Sequence, residues 1–184
     1  VARPTRSYAT PFMVSFLCGA VLAGCAANTP DSSFPVRPHD IDVGRIDPCA
    51  LLTSETRTAL GVRDGESSRN TLDDGVEARN CGWDNFDTGT SYSVQIVGIS
   101  AEAAVGSGRS IENVAGYGAV QQIETPGSAP SCALVVDVDD MQMMRVLVLS
   151  THYVDGRPRP IDDVCGEVLH VATDVVARAR RLAP

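Results

Sequence analysis

Ser131-Cys132-Ala133-Leu134-Val135-Val136-Asp137-Val138-Asp139-Asp140-Met141-Gln142-Met143-Met144-Arg145-Val146-Leu147-Val148-Leu149 is the stretch whose reading decides the fold. Cys132 to Val138 is the clearest strand of the chain. Asp139-Asp140 turns it back into Met143 to Leu149, and two such runs around a polar turn predict an antiparallel hairpin. Pro158 and Pro160 then end the sheet. Asp162 to Leu182 follows as a helix, with Cys165, Val168, Leu169, Ala172, Val175, Val176 and Ala179 on one apolar stripe. Asp162 and Asp163 at its start and Arg178, Arg180 and Arg181 at its end suit the helix dipole. Gly166 costs about 1 kcal/mol inside a helix, which suggests a close approach beside Cys165.

Upstream of the hairpin, Pro126, Gly127 and Pro130 form a loop, and Gly116-Tyr117-Gly118 turns into a strand over Ala119 to Glu124. Residues 100–110 are rich in Ala, Gly and Ser and suggest a short helix and a loop. Ala78 to Asn85 reads as a strand on which Cys81 and Trp83, two apart, share a face. Asp84 to Gly89 is turn chemistry, and Tyr92 to Ile99 alternates as the second strand of a hairpin. Residues 62–77 are polar and read as an irregular loop with at most a short strand. Asp47 caps a first helix with Pro48 in its opening turn, Thr53 or Ser54 caps again, and Gly61 ends it. Leu51, Leu52, Ala59 and Leu60 are its expected buried residues. These elements predict an α+β domain. Its antiparallel sheet has about five strands, with the N- and C-terminal helices packed on one face and two disulfides holding the whole.

The N-terminal stretch is of another kind. Arg3 and Arg6 precede an apolar run from Phe12 to Ala23 that is too short to span a bilayer, which needs about 20 residues, but suits a signal-peptide core. Val21-Leu22-Ala23-Gly24-Cys25 is similar to a bacterial lipobox. The expectation is a cleaved signal peptide over 1–24, lipidation including palmitate on Cys25, a flexible tether over 25–46 with Pro30, Pro35 and Pro38, and a single domain over 47–184.

The chain has 184 residues and a net charge of −8, with 23 acids against 15 basic residues, all of them arginine. Two of the arginines and none of the acids precede Cys25, so the part from Cys25 onward carries −10. That surface argues against nucleic acid and against electrostatic adhesion to anionic lipid. Cys18 leaves with the signal peptide and Cys25 carries lipid. The remaining Cys49, Cys81, Cys132 and Cys165 imply two disulfides in an exported domain. We pair Cys49 with Cys81 and Cys132 with Cys165, each clipping a helix to the sheet where an Ala/Val core holds weakly. Cys49 with Cys165 and Cys81 with Cys132 stays open, because the order of elements in the sheet is not readable from sequence. No Cys-x-x-Cys pair and no histidine beside a cysteine supports zinc.

Asp47-Pro48-Cys49-Ala50-Leu51-Leu52-Thr53, Leu60-Gly61, Cys81-Gly82-Trp83, Gly116-Tyr117-Gly118, Cys132 on a strand and Cys165 near the start of the last helix recur together in one family. On them the chain resembles, over roughly residues 45–182, the actinobacterial lipoproteins grouped as the domain-of-unknown-function family DUF3558. One detail departs: the family turn continues with Asp and Ala, whereas Ala119 follows directly here. The resemblance implies an envelope lipoprotein of mycobacterial type and brings no activity or catalytic residues.

Catalytic motifs are sparse. His39 lies in the tether, His152 follows the last strand, and His170 faces outward on the last helix. Gly98-Ile99-Ser100-Ala101-Glu102 lacks the second glycine of a nucleophile elbow. Gly106-x-Gly108 and Gly116-x-Gly118 lack the third glycine of a dinucleotide loop. Asp137, Asp139 and Asp140, and likewise Asp84 and Asp87, read as solvated acids at hairpin tips, without the glycine and closing glutamate of an EF-hand. Trp83 is expected to pack over a disulfide. The function expected is a non-enzymatic binding or interaction module at the outer leaflet of the plasma membrane. It would be anchored by lipid on Cys25 and would meet an envelope protein or a small amphipathic ligand, with no cofactor or metal. The alternatives are a small-ligand or lipid carrier, and a hydrolase with dispersed catalytic residues using His152 or His170.

Overall fold

The computed structural model describes residues 32–72, 74–106, 109–124 and 129–183. The signal-peptide, Cys25 and Gly106-x-Gly108 readings therefore fall wholly or partly outside the described residues. A 3-10 turn at Pro48–Leu51 comes first, then α1 (Ser54–Ala59), β1 (Glu66–Thr71), β2 (Glu77–Asn85) and β3 (Thr90–Val97). A second 3-10 turn, Ala101–Ala104, precedes β4 (Ile111–Val114), β5 (Tyr117–Glu124), β6 (Ser131–Asp139) and β7 (Gln142–Ser150). A ribbon of β8 (Tyr153–Val154) and β9 (Arg157–Pro158) leads into α2 (Ile161–Leu182).

The main sheet has seven strands in the order β1-β2-β3-β7-β6-β5-β4, every neighbouring pair antiparallel. Five strands were expected, and the two missed are the sheet's edges. β1 is polar from end to end and wholly exposed, and β4 has four residues, so neither carries the alternation that marks a strand. β6 is the opposite case. It lies between β7 and β5 and is buried on both faces through eight residues, hence its near-continuous apolar run.

The strand period of two divides the sheet into two faces. Tyr92, Val94 and Ile96 of β3 stand beside Val148, Val146 and Met144 of β7, which stand beside Cys132, Leu134 and Val136 of β6. This face meets α2, which presents Val164, Val168, Val171, Ala172, Val175, Val176 and Ala179. The expected stripe differs at three positions. Leu169 is 38% exposed, and Val164 and Val171 take part in the core. Gly166 is not a close-approach glycine either, since a Cβ there would touch nothing within 4 Å.

The expected N-terminal helix is broken into two short pieces. Asp47 accepts the Cys49 N–H and Thr53 accepts the Thr56 N–H, so two successive caps start two separate turns. Leu51 and Leu52 are buried as expected, but α1 buries none of its residues and Ala59 is exposed. Among the described residues only α2 therefore covers the sheet as a long helix, with the Pro48–Leu51 turn beside it.

The tether expected up to residue 46 is corrected for residues 32–46, which pack onto the domain. Phe34 is buried with Ala101, Val120 and Val135 on the sheet face away from α2. Gly118 makes room for it: a Cβ there would lie 2.8 Å from Phe34 and 2.7 Å from Pro35. The Ile41 N–H bonds the Val138 carbonyl at 2.8 Å, Ile41 and Val43 are fully buried, and Arg79 holds the carbonyls of Ile46 and Val43 at 2.6 and 3.0 Å. Apolar residues between the prolines make a strap of this segment; a proline-rich composition alone does not keep a chain off a surface.

Candidate functional site

Cys49 is bonded to Cys81 and Cys132 to Cys165, with Cα–Cα distances of 5.1 and 5.2 Å. The first bridge joins the Pro48–Leu51 turn to β2, and the second joins β6 to α2, so both are joints between the sheet and what covers it. Trp83 lies beside the first bridge, 2% exposed. A Cβ on Gly65 would lie 2.5 Å from both Cys81 Sγ and Trp83 Nε1, so only glycine fits over that pair. Among the described residues no group of three or more His, Cys, Asp or Glu is placed to hold a metal ion. No described helix is long and apolar enough to cross a membrane.

The second bridge brings the start of α2 against the ends of β3 and β7, and there a cleft of about 780 Å³ opens. Its floor is made by Thr90 and Tyr92 of β3 and by Gly166, whose missing side chain leaves the space above it. Asn85 and Thr88 of the β2–β3 turn form one wall. Asp162, Asp163 and Glu167 of α2 form the other, with His152 and Arg159 closing the end. The turn wall is braced from behind. Asn85 donates to the Leu60 carbonyl at 2.8 Å, and its Oδ1 accepts the N–H groups of Asp87 and Thr88 at 3.0 and 3.1 Å.

Three side chains distant in sequence meet at the cleft's centre. The Tyr92 hydroxyl donates to Glu167 Oε1 at 2.5 Å, and Arg159 Nη1 donates to Glu167 Oε2. Arg159 Nη2 also donates to the Asp163 carbonyl at 3.2 Å. Both carboxylate oxygens of Glu167 are thus occupied, one by a phenol and one by a guanidinium, in a charge-assisted network. Burial raises the Tyr92 hydroxyl above its ordinary range. The hydrogen bond to Glu167 and the Glu167 charge add to the effect, and Arg159 opposes it.

The folded value for Tyr92 therefore exceeds the unfolded one of about 10. Its stabilising contribution is fully present below about pH 10 and is lost as pH rises through the raised folded value. Tyr92→Phe is expected to cost about 1–2 kcal/mol at neutral pH, from the lost bond to a charged acceptor. It is also expected to flatten the alkaline fall in stability. Urea unfolding at neutral pH and above about pH 10 checks this, and a wild type equally stable at both would overturn it.

None of these three residues was singled out from sequence. Tyr92 showed only as one residue of an alternating strand, and nothing local ties it to Arg159 or Glu167. Of the histidines, His152 lines the cleft, His170 is exposed on α2, and His39 is exposed with its ring edge-on to Tyr117, centroids 6.0 Å apart. The hairpin-tip acids are not simply solvated. Asp137 is buried and bonds Arg37 at 2.7 Å, and Asp140 and Asp40 bond the same guanidinium. Asp139 accepts the Met141 N–H, and Asp84 accepts the Ser91 hydroxyl at 2.6 Å.

Fold and site together define a disulfide-stapled antiparallel sheet, covered by one helix and open at one end as a cleft of mixed polar and apolar lining. Over residues 20–178 the chain matches the family model described as "Protein of unknown function (DUF3558)". The chain belongs to that family. No curated protein and no solved structure matches it.

Proposed function

We propose that the protein is an envelope lipoprotein, anchored at the outer leaflet of the plasma membrane by lipid on Cys25, whose domain is a binding module rather than an enzyme. The observation that carries the binding reading is the Tyr92–Glu167–Arg159 network. The central groups of the cleft are committed to one another, which holds a fixed, hydrogen-bonded recognition surface. The anchor reading rests on the Leu22-Ala23-Gly24-Cys25 order behind a short apolar run. The cleft sets acids, an amide, hydroxyls and a guanidinium beside Ala59, Leu60 and the Tyr92 ring, which suits a small amphipathic ligand or a protein segment of mixed character.

Replacing Cys25 by Ala is expected to move the protein from the detergent phase to the aqueous phase when cells are extracted and phase-partitioned. Wild type and variant both in the aqueous phase would refute the anchor. The hydrolase reading is separated with a chromogenic short-chain p-nitrophenyl ester. The binding reading expects wild type to release nitrophenol no faster than buffer. Release that disappears in His152→Ala with His170→Ala, with folding retained, would favour the enzyme.

A further inference from the structure

The domain has two ends along its strands. The cleft lies at one, where β3 begins, β7 finishes and α2 starts. The chain from Cys25 arrives at the other. Ser32 Oγ and the Ser33 N–H both bond Glu102 at 2.8 Å, on the Ala101–Ala104 turn that follows β3. From there the strap runs over the face opposite α2. Pro35 lies against Gly118 and Pro38 against Gly116, and Arg37 is held by Asp137 and Asp140 at the β6–β7 turn.

The packed strap shortens the leash. Only residues 26–31 separate Cys25 from Ser32, and even fully extended they span at most about 25 Å. A globular domain of this length is roughly 35–40 Å across. A lipid on Cys25 therefore cannot let the domain turn its cleft end onto the bilayer. The strap carries Val36, 96% exposed and the most exposed large apolar side chain of the described residues, and Ile111, 38% exposed, lies on the same sheet face; Phe86, 79% exposed, sits at the cleft end, which the leash keeps off the bilayer.

We propose that the strap face, with Val36 at its crest, rests on the outer surface of the lipid bilayer, so that the cleft opens away from the membrane. The inference rests on the lipoprotein reading and deepens it. The cleft then meets ligands that come from the wall or the surrounding medium, not ones still seated in the bilayer.

The test uses full-length lipidated protein in vesicles of phosphatidylglycerol and phosphatidylethanolamine, with nitroxides placed high on the acyl chains of a tracer lipid. Val36→Trp adds a reporter on the strap. His170→Trp adds one on the outer side of α2, across the sheet. Wild type, whose single Trp83 is buried, sets the baseline. Both substituted positions are exposed, so folding is retained, and circular dichroism checks it. A side chain seated ~5–10 Å into the headgroup–acyl boundary should lose about half its emission, so Val36→Trp is quenched roughly twofold and His170→Trp is not. Co-flotation with vesicles is read on the same samples. Protein that floats but shows equal quenching in both variants, or none in Val36→Trp, overturns the orientation and leaves the anchor standing. Protein that does not float overturns both. Shielding of the Val36→Trp reporter from aqueous iodide in the unlipidated Cys25→Ala form, without vesicles, would assign the surface to a second copy of the chain and overturn the membrane contact.

Discussion

Cys132→Ala combined with Cys165→Ala is expected to lower the free energy of unfolding by about 3–4 kcal/mol. The bridge closes a loop of sequence separation 33, and cross-linking the unfolded chain over that distance carries an entropy of this size. The native side adds a reason for this joint to matter. The face of α2 that meets the sheet is made of valines and alanines, with Val164, Val168, Val175 and Ala179 among its fully buried residues. Small side chains bury little area each, so the helix is docked by many weak contacts and one covalent one. A loss of this size is a large part of the ~5–15 kcal/mol available to a typical domain. The helix start that carries Asp162, Asp163 and Glu167 should loosen first, taking the cleft wall with it. Urea unfolding at constant m-value reads the effect, and the Cys49→Ala, Cys81→Ala pair is the natural comparison. A change below about 1 kcal/mol would mean that the packing alone holds the helix, contrary to the chain-entropy argument.

Arg37→Ala is the second large effect, at about 3 kcal/mol at neutral pH. Arg37 gives Nη1 to Asp137, Nη2 to Asp140 and Nε to Asp40. The Asp137 side chain is 5% exposed and that of Arg37 17%, so the pair is largely out of water, while Asp140 at 84% contributes little. Breaking such a pair from one side leaves a buried charge without compensation, which costs more than the pair itself supplies. Burial already lifts the Asp137 carboxyl above its ordinary range, against the pull of Arg37. Without the guanidinium it should rise further. The sign follows from that: a carboxyl whose folded value exceeds the unfolded one is better tolerated when protonated. The destabilisation should therefore shrink toward acid and grow as pH rises through the folded value. Arg37→Ala with Asp137→Ala should cost less than the two single changes added together. Strict additivity, or an Arg37→Ala penalty that is the same in acid as at neutral pH, would remove the pair from the account of how the strap is held.

The hairpin of β6 and β7, the β2–β3 hairpin and the amphipathic α2 were all legible in sequence, because each rests on neighbouring residues whose periodicity of two or 3.6 records which side is buried. The number and spacing of the cysteines placed them in two disulfides for a like reason, since half-cystines are counted, not folded. What was not legible lacked a period. β1 and β4 became strands because a neighbouring strand offered them an unpaired edge, not because their own residues called for it. The strap over residues 32–46 reads as linker by composition, and only the groove made by Gly118, Val120 and Val135 turns Phe34 into a core residue. The cleft was the least legible of all. Tyr92 and Glu167 are 75 positions apart, and Arg159 comes from a proline-rich turn. Such a network is created when a helix docks on a sheet, and only the tertiary structure could decide it.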